Sequence, residues 1–186
     1  MNANDHSAAA AKASPSESLT ELRLSTARKR LAASRNQEDA LEILREIVGT
    51  FLGSEEIGLF TIDRRTASFK LFWSFGTDLE NYDLQKALGD SGRDRMVRGE
   101  YHLDIPQHGA GKGKLAQAFI PIAIDGRTVA VLAILRLLPQ KHGFDRSDFD
   151  LFHLLTHEAG APLFGRNVCP TPGTRELGRR HEGNDL

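Results

Sequence analysis

Residues 116–136 read AQAFIPIAIDGRTVAVLAILR. Two runs rich in Ile, Val, Ala and Leu flank Asp125-Gly126, a pair that accepts the positive φ angles of a tight type I′ turn. The stretch therefore predicts a β-hairpin with a strongly apolar second strand. Downstream of Pro139 the pattern changes. In FDRSDFDLFHLL, Asp145 stands where a helix cap belongs, and Phe149, Leu151, Phe152 and Leu155 follow at helical spacing. Gly160 and Pro162 are expected to bend or finish that helix.

Upstream, Asn36 is placed to cap a helix in which Ala40, Leu41, Leu44, Ile47, Val48, Phe51 and Leu52 form one stripe, broadened by Ile43, with Gly53 as its stop. Glu56 to Ile62 reads as a strand and Asp63 to Thr66 as a turn. In the return strand, Ala67 to Phe75, Phe69, Leu71, Trp73 and Phe75 alternate on one face, with Phe72 the exception. From Gly76 to Gly99 the chain is polar and mixed, with a short helix expected near Tyr82 to Leu88. Glu100 to Ile105 is a short predicted strand, and Pro106 to Lys114 a Gly-rich loop. Ser18 and Glu21 fit a capping box for a helix reaching Ser34, whose apolar stripe is thin and whose other face carries Arg23, Arg28, Lys29 and Arg30. So thin a stripe needs a partner surface. Residues 1–17 and 165–186 read as disordered tails, too poor in apolar groups to offset ordering entropy.

Composition narrows the function. At 186 residues, with 40% apolar and 26% charged residues, the chain is of ordinary globular make-up. A net charge of -1 exerts no global pull on nucleic acid or anionic lipid. The single cysteine, Cys169, rules out an intramolecular disulfide and a multi-cysteine zinc site. No signal peptide is expected at the amino terminus, and no apolar run approaches the ~20 residues of a membrane-spanning helix. A cytoplasmic protein is the expectation.

The order of elements is helix, hairpin, variable segment, strand, loop, hairpin, helix. With LEILREIVGTFLGSEEIGLFTID at the front, Ile120-Pro121-Ile122 before the Asp-Gly turn, and Phe144-Asp145-Arg-Ser-Asp148 at the last helix, it resembles the GAF domain over roughly 36–164. The resemblance implies an α+β (α/β/α) fold, with a GAF/PAS-like central antiparallel sheet of five or six strands flanked by helices. It also implies a small-molecule sensing or regulatory role, action as a homodimer, and output through an unidentified signalling protein partner. In such domains the terminal helices bundle about a two-fold axis, which makes Leu19, Leu22, Leu31, Leu41, Leu44 and Val48 the dimer-interface candidates. A ligandless scaffold for protein association is the alternative.

Several chemistries of that family can be tested on residues. A bilin thioether needs a cysteine near the pocket, and Cys169 lies beyond the last helix. Free methionine-(R)-sulfoxide reduction needs an attacking and a resolving thiol, which one cysteine cannot supply. The cyclic-nucleotide signature ends in a pattern that Phe144 and Asp148 echo, but its Asn-Lys pair has no counterpart here. His153 and His157 share a helix face at metal-ligand spacing; without the Glu of the zinc-protease pattern they read as solvated. His108-Gly-Ala-Gly-Lys-Gly-Lys114 fails as a phosphate loop, because Leu115 stands where Ser or Thr should meet magnesium. Arg28 to Arg30 lacks an aromatic platform and reads as a solvated face. We therefore assign no catalytic residue, no metal and no nucleic acid or membrane partner, and leave the cofactor unspecified. For a ligand pocket, His102 and Asp104 share a strand face to which Trp73, Phe75 and Phe119 add aromatic walls. Core aromatics beside an edge strand is the competing reading.

Overall fold

The computed structural model describes residues 15–63, 65–66, 68–103 and 117–165. Asp104, the Gly-rich loop, residues 1–14 and Cys169 with the rest of 166–186 lie outside the described residues.

Helix α1 spans Pro15–Ala32. It is already under way at Pro15, so Ser18 and Glu21 lie inside the helix and do not start it. A proline suits a first turn, where its missing N–H has no intrahelical acceptor. α2 (Gln37–Ile47) starts where expected: Asn36 Oδ1 accepts the Asp39 N–H at 2.8 Å. A π-helical turn, Val48–Leu52, continues it to Gly53, whose left-handed φ of 65° ends the helix. β1 (Ser54–Asp63) and β2 (Ser68–Phe75) follow, then α3 (Leu84–Val97) and a short β3 (His102–Leu103). β4 (Ala118–Ile124) and β5 (Arg127–Leu137) form the Asp-Gly hairpin, with φ of +50° at Asp125 and +74° at Gly126. α4 (Arg146–Glu158) and α5 (Gly160–Phe164) close the fold, joined by a bend at Ala159.

The strands form one antiparallel sheet in the order β2-β1-β5-β4-β3, five strands within the range expected. β5 is apolar on both faces because it lies at the centre, between β1 and β4, with helices above and below. One face carries Ile57, Leu59, Ile120, Ile122, Leu132 and Ile134, packed beneath α1, α2, α4 and α5. We call it the bundle face. The other carries Phe60, Phe119, Val131, Ala133 and Leu135, roofed by Leu79 and by Leu84, Leu88 and Met96 of α3.

The aromatic run of β2 does not keep to one face. Leu59 pairs with Trp73 and Phe60 with Leu71, so Phe72 is an extra residue in the ladder, a β-bulge. The bulge sends Phe69 and Leu71 to the α3 face and turns Phe72 and Trp73 to the bundle face, where Phe72 meets Phe164 at 5.5 Å.

The helix stripes also divide. Leu31, Leu44 and Val48 are buried within this chain's own core, so they hold α1 and α2 to the sheet and offer nothing to a second copy. Leu41 is partly buried against the same core. Leu19 and Leu22 remain 63% and 62% exposed. Among the described residues no helix is long and apolar enough to cross a membrane.

Candidate functional site

The sheet face beneath α3 is the candidate site. Asp83 caps α3, accepting the Lys86 N–H at 3.0 Å. The helix then breaks at Gly89, with φ 59° and ψ -174°, a conformation that is essentially restricted to glycine. Leu84, Leu88, Gly92 and Met96 recur every fourth residue and are the buried side of α3. At its far end Thr128 Oγ1 donates to the Met96 carbonyl at 2.7 Å, tying α3 to β5. α3 is thus a two-piece roof, with a glycine joint, over a floor of Phe60, Phe119 and Val131.

His102 stands at the rim. Its half-buried imidazole stacks on Phe119 at 6.1 Å with an interplanar angle of 16°. Gly92 allows this closeness, since a Cβ there would lie 3.2 Å from His102 Cδ2. Nearby, Arg98 Nε donates to Glu100 at 3.0 Å, and this bond holds the Glu100 carboxyl below its usual range. Phe60 and Phe119 are 1% and 0% exposed, so α3 covers the floor completely; only if α3 lifted would this apolar surface, with an imidazole at its edge, be open to a flat or apolar molecule.

Of the five pocket candidates, the structure brings together only His102 and Phe119. Trp73 and Phe75 are on the opposite side of the sheet, a consequence of the β2 bulge. They stack on each other at 6.4 Å, and the Arg45 guanidinium lies 4.8 Å from the Phe75 ring centroid. Asp104 lies outside the described residues. Leu84, Leu88, Gly92 and Met96 went unassigned in the sequence because the residues between them are polar; their i, i+4 spacing was the available signal.

His153 and His157 are exposed on α4, as expected. With Leu24, Arg28, Asp150, Leu154 and Glu158 they edge an open groove of about 400 Å³ between α1 and α4. Glu158 is engaged there by Arg28 at 2.7 and 2.9 Å. Among the described residues no three His, Cys, Asp or Glu side chains gather as a metal site would require.

No protein-family model and no curated protein sequence matches the chain. Solved structures do. The GAF domain of an Acinetobacter phosphoenolpyruvate-protein phosphotransferase superposes with a TM-score of 0.57 at 17% identity, covering 87% of this chain and 100% of that one. The GAF domain of the Coxiella burnetii phosphoenolpyruvate-protein phosphotransferase gives 0.54 at 23% identity, covering 78% and 96%. The free methionine-R-sulfoxide reductase of Neisseria meningitidis, solved with its substrate, gives 0.56 at 18% identity, covering 83% and 93%. At these identities the likeness is one of fold, and the fold is the GAF type: a five-stranded antiparallel sheet between helices. The neighbours thus include GAF domains from phosphotransferases, a GAF domain/HD domain protein of Geobacter sulfurreducens and a methionine-sulfoxide reductase.

Proposed function

We propose that this chain is a non-enzymatic GAF-type sensory or regulatory module. It takes a small molecule on the α3 face and works as a homodimer that passes its state to a protein partner. The observation that carries the reading is the α3 roof, jointed at Gly89 and closed over Phe60 and Phe119, with His102 at its rim. A roof with a joint can settle differently over an empty and an occupied floor, and that difference is what a partner could read. The exposed Leu19 and Leu22 on α1 support association with a second copy. A lone cysteine argues against the reductase chemistry of the Neisseria neighbour and suits a reducing cytoplasm.

Native mass spectrometry of freshly purified protein, with an absorbance spectrum, tests this. The expected result is a dimer mass that includes a retained small molecule, and no turnover of free methionine sulfoxide. A monomer at every concentration removes the dimer. Turnover that is lost in Cys169→Ser removes the non-enzymatic reading.

The second reading is a ligandless scaffold. Its support is that Phe119 and Phe60, 0% and 1% exposed, already fill the floor with the chain's own side chains. A dimer that carries no added mass, and whose Tm no small-molecule panel shifts, decides for the scaffold.

A further inference from the structure

Helix α1 is held by a short apolar contact and by arginines. Among its described residues Ala27 and Leu31, both in the C-terminal half, are the fully buried apolar ones, with Leu24 partly buried against the same core. Arg28 pairs with Glu158 of α4, and Arg30 with Glu46 of α2. Arg23 makes the most elaborate junction. Its Nη1 donates to Ser147 Oγ at 2.7 Å, and its Nη2 donates to the Phe51 carbonyl and approaches Asp148 Oδ1 at 3.5 Å. The guanidinium also sits 5.5 Å from the Phe51 ring centroid. N-terminal to Arg23, the helix exposes Leu19 and Leu22.

We propose that α1 docks reversibly, anchored by Ala27 and Leu31 and latched at its middle by Arg23. The Asp148 carboxylate is fully buried, and a buried charge stripped of its partner is costly. Arg23 is not its main partner, however. Lys141 Nζ lies 2.8 Å from both Asp148 oxygens, and the Asp145 N–H donates to Oδ2 at 2.9 Å. Arg23 holds the longest of these contacts and can leave without orphaning the carboxylate. Its other two acceptors are neutral oxygens on half-buried residues: Ser147 Oγ, which goes on donating to Asp145 Oδ1 at 2.6 Å, and the Phe51 carbonyl, so water can take the place of the guanidinium N–H groups. Everything the latch touches is stable with the latch open. The junction joins α1, the π-helical turn, the loop after β5 and the start of α4, so a shift in any of them is felt at α1. This inference requires neither a ligand nor a dimer.

Hydrogen exchange of the full chain in low and high salt tests it. Between about 0.05 M and about 1 M salt the Debye length shrinks to roughly 3 Å, which weakens the latch. Residues 17–26 should then exchange roughly tenfold faster; 27–32, where the Arg28 and Arg30 pairs are screened too, should change less because Ala27 and Leu31 stay buried, and α2 and β5 should keep their rates. Arg23→Gln should show the faster rate already in low salt and lose most of the salt dependence. Lys141→Met should loosen the first turn of α4 as well, which Arg23→Gln should not. If Arg23→Gln fails to fold, the salt series on the natural chain decides alone. The proposal is overturned if α1 exchanges only in step with β5, or if Arg23→Gln matches the natural chain. It is also overturned if Arg23→Gln loosens α4 as much as Lys141→Met does.

Discussion

The two faces of the sheet are built to different standards. The bundle face is covered by four helices whose apolar side chains merge into one core with the strands, and its aromatic residues interlock. Phe152 meets Phe144, Tyr101 and Phe149 edge-on, at 5.1, 5.4 and 5.8 Å. The α3 face is covered by one helix, broken in the middle, that touches the sheet through a single row of residues. One face is closely interlocked and the other thinly covered, a difference in packing that should appear as a difference in local stability.

Truncating one buried side chain on each face is the most direct way to break the comparison. Phe152→Ala should cost about 4 kcal/mol, because the surrounding rings and β4 leave little room for collapse. Met96→Ala, equally buried, should cost about 2 kcal/mol, since a jointed α3 can settle into the gap. Urea midpoints measure both. Equal losses would mean that the two faces are equally rigid.

Enlarging a residue asks the same question from the other direction. A Cβ on Gly160, at the start of α5, would lie 2.2 Å from the Ala123 carbonyl oxygen, which is backbone and cannot yield. Gly160→Ala should therefore destabilise by about 3 kcal/mol. On the α3 face, a Cβ on Gly58 would meet Leu79 Cδ1 at 2.4 Å and Phe60 Cε2 at 2.9 Å, both of them ends of side chains. Gly58→Ala should cost only about 1 kcal/mol, with the same measurement as the check.

The same asymmetry explains what could be read from the residues. The bundle face is specified by local signals: Asn36 and Asp145 as caps, Gly53 as a stop, Asp125-Gly126 as a turn, and stripes of uninterrupted helical period. Each of these falls where it was expected. The α3 face depends on features that periodicity conceals. The row Leu84, Leu88, Gly92 and Met96 keeps its spacing of four, but one member is a glycine and Gly89 interrupts the helix, so only two leucines and a methionine mark the buried side. The bulge at Phe72 is set by pairing between β1 and β2, and it moves Trp73 and Phe75 away from Phe119. Which side of the sheet a strand residue faces depends on register, and one inserted residue reverses it. Of the four candidates among the described residues, His102 and Phe119 meet, and Trp73 and Phe75 are carried away for that reason.

The joint itself can be removed. Gly89 has no neighbouring atoms to crowd a Cβ, so any cost of Gly89→Ala comes from its φ of 59° alone. About 1–2 kcal/mol of strain is expected, relieved by straightening α3. Hydrogen exchange should change within 84–97 and remain as it was across α2 and α4. Changes spread evenly over both faces would show that α3 is not an independent roof.

The smallest expected effect concerns the caps. Asp145 belongs to a reciprocal box with Asp148, whereas the Asp83 carboxylate caps by accepting the Lys86 N–H, with no reciprocal partner, for a helical piece that ends at Gly89. Asp145→Ala should cost about 1 kcal/mol and Asp83→Ala less. Asp145→Asn isolates the charge, because Asn also caps well. The Ser147 hydroxyl, then the Asp148 and Ser147 backbone N–H groups, hold the Asp145 carboxyl below its ordinary value. A carboxyl lowered by folding contributes stability that is fully present above about pH 4 and is lost as pH falls through the depressed value. Between pH 7 and about pH 3 the natural chain should thus lose slightly more stability than Asp145→Asn, by a few tenths of a kcal/mol. Parallel urea midpoints for the two proteins across that range would show that the cap acts through its hydrogen bonds, with no contribution from its charge.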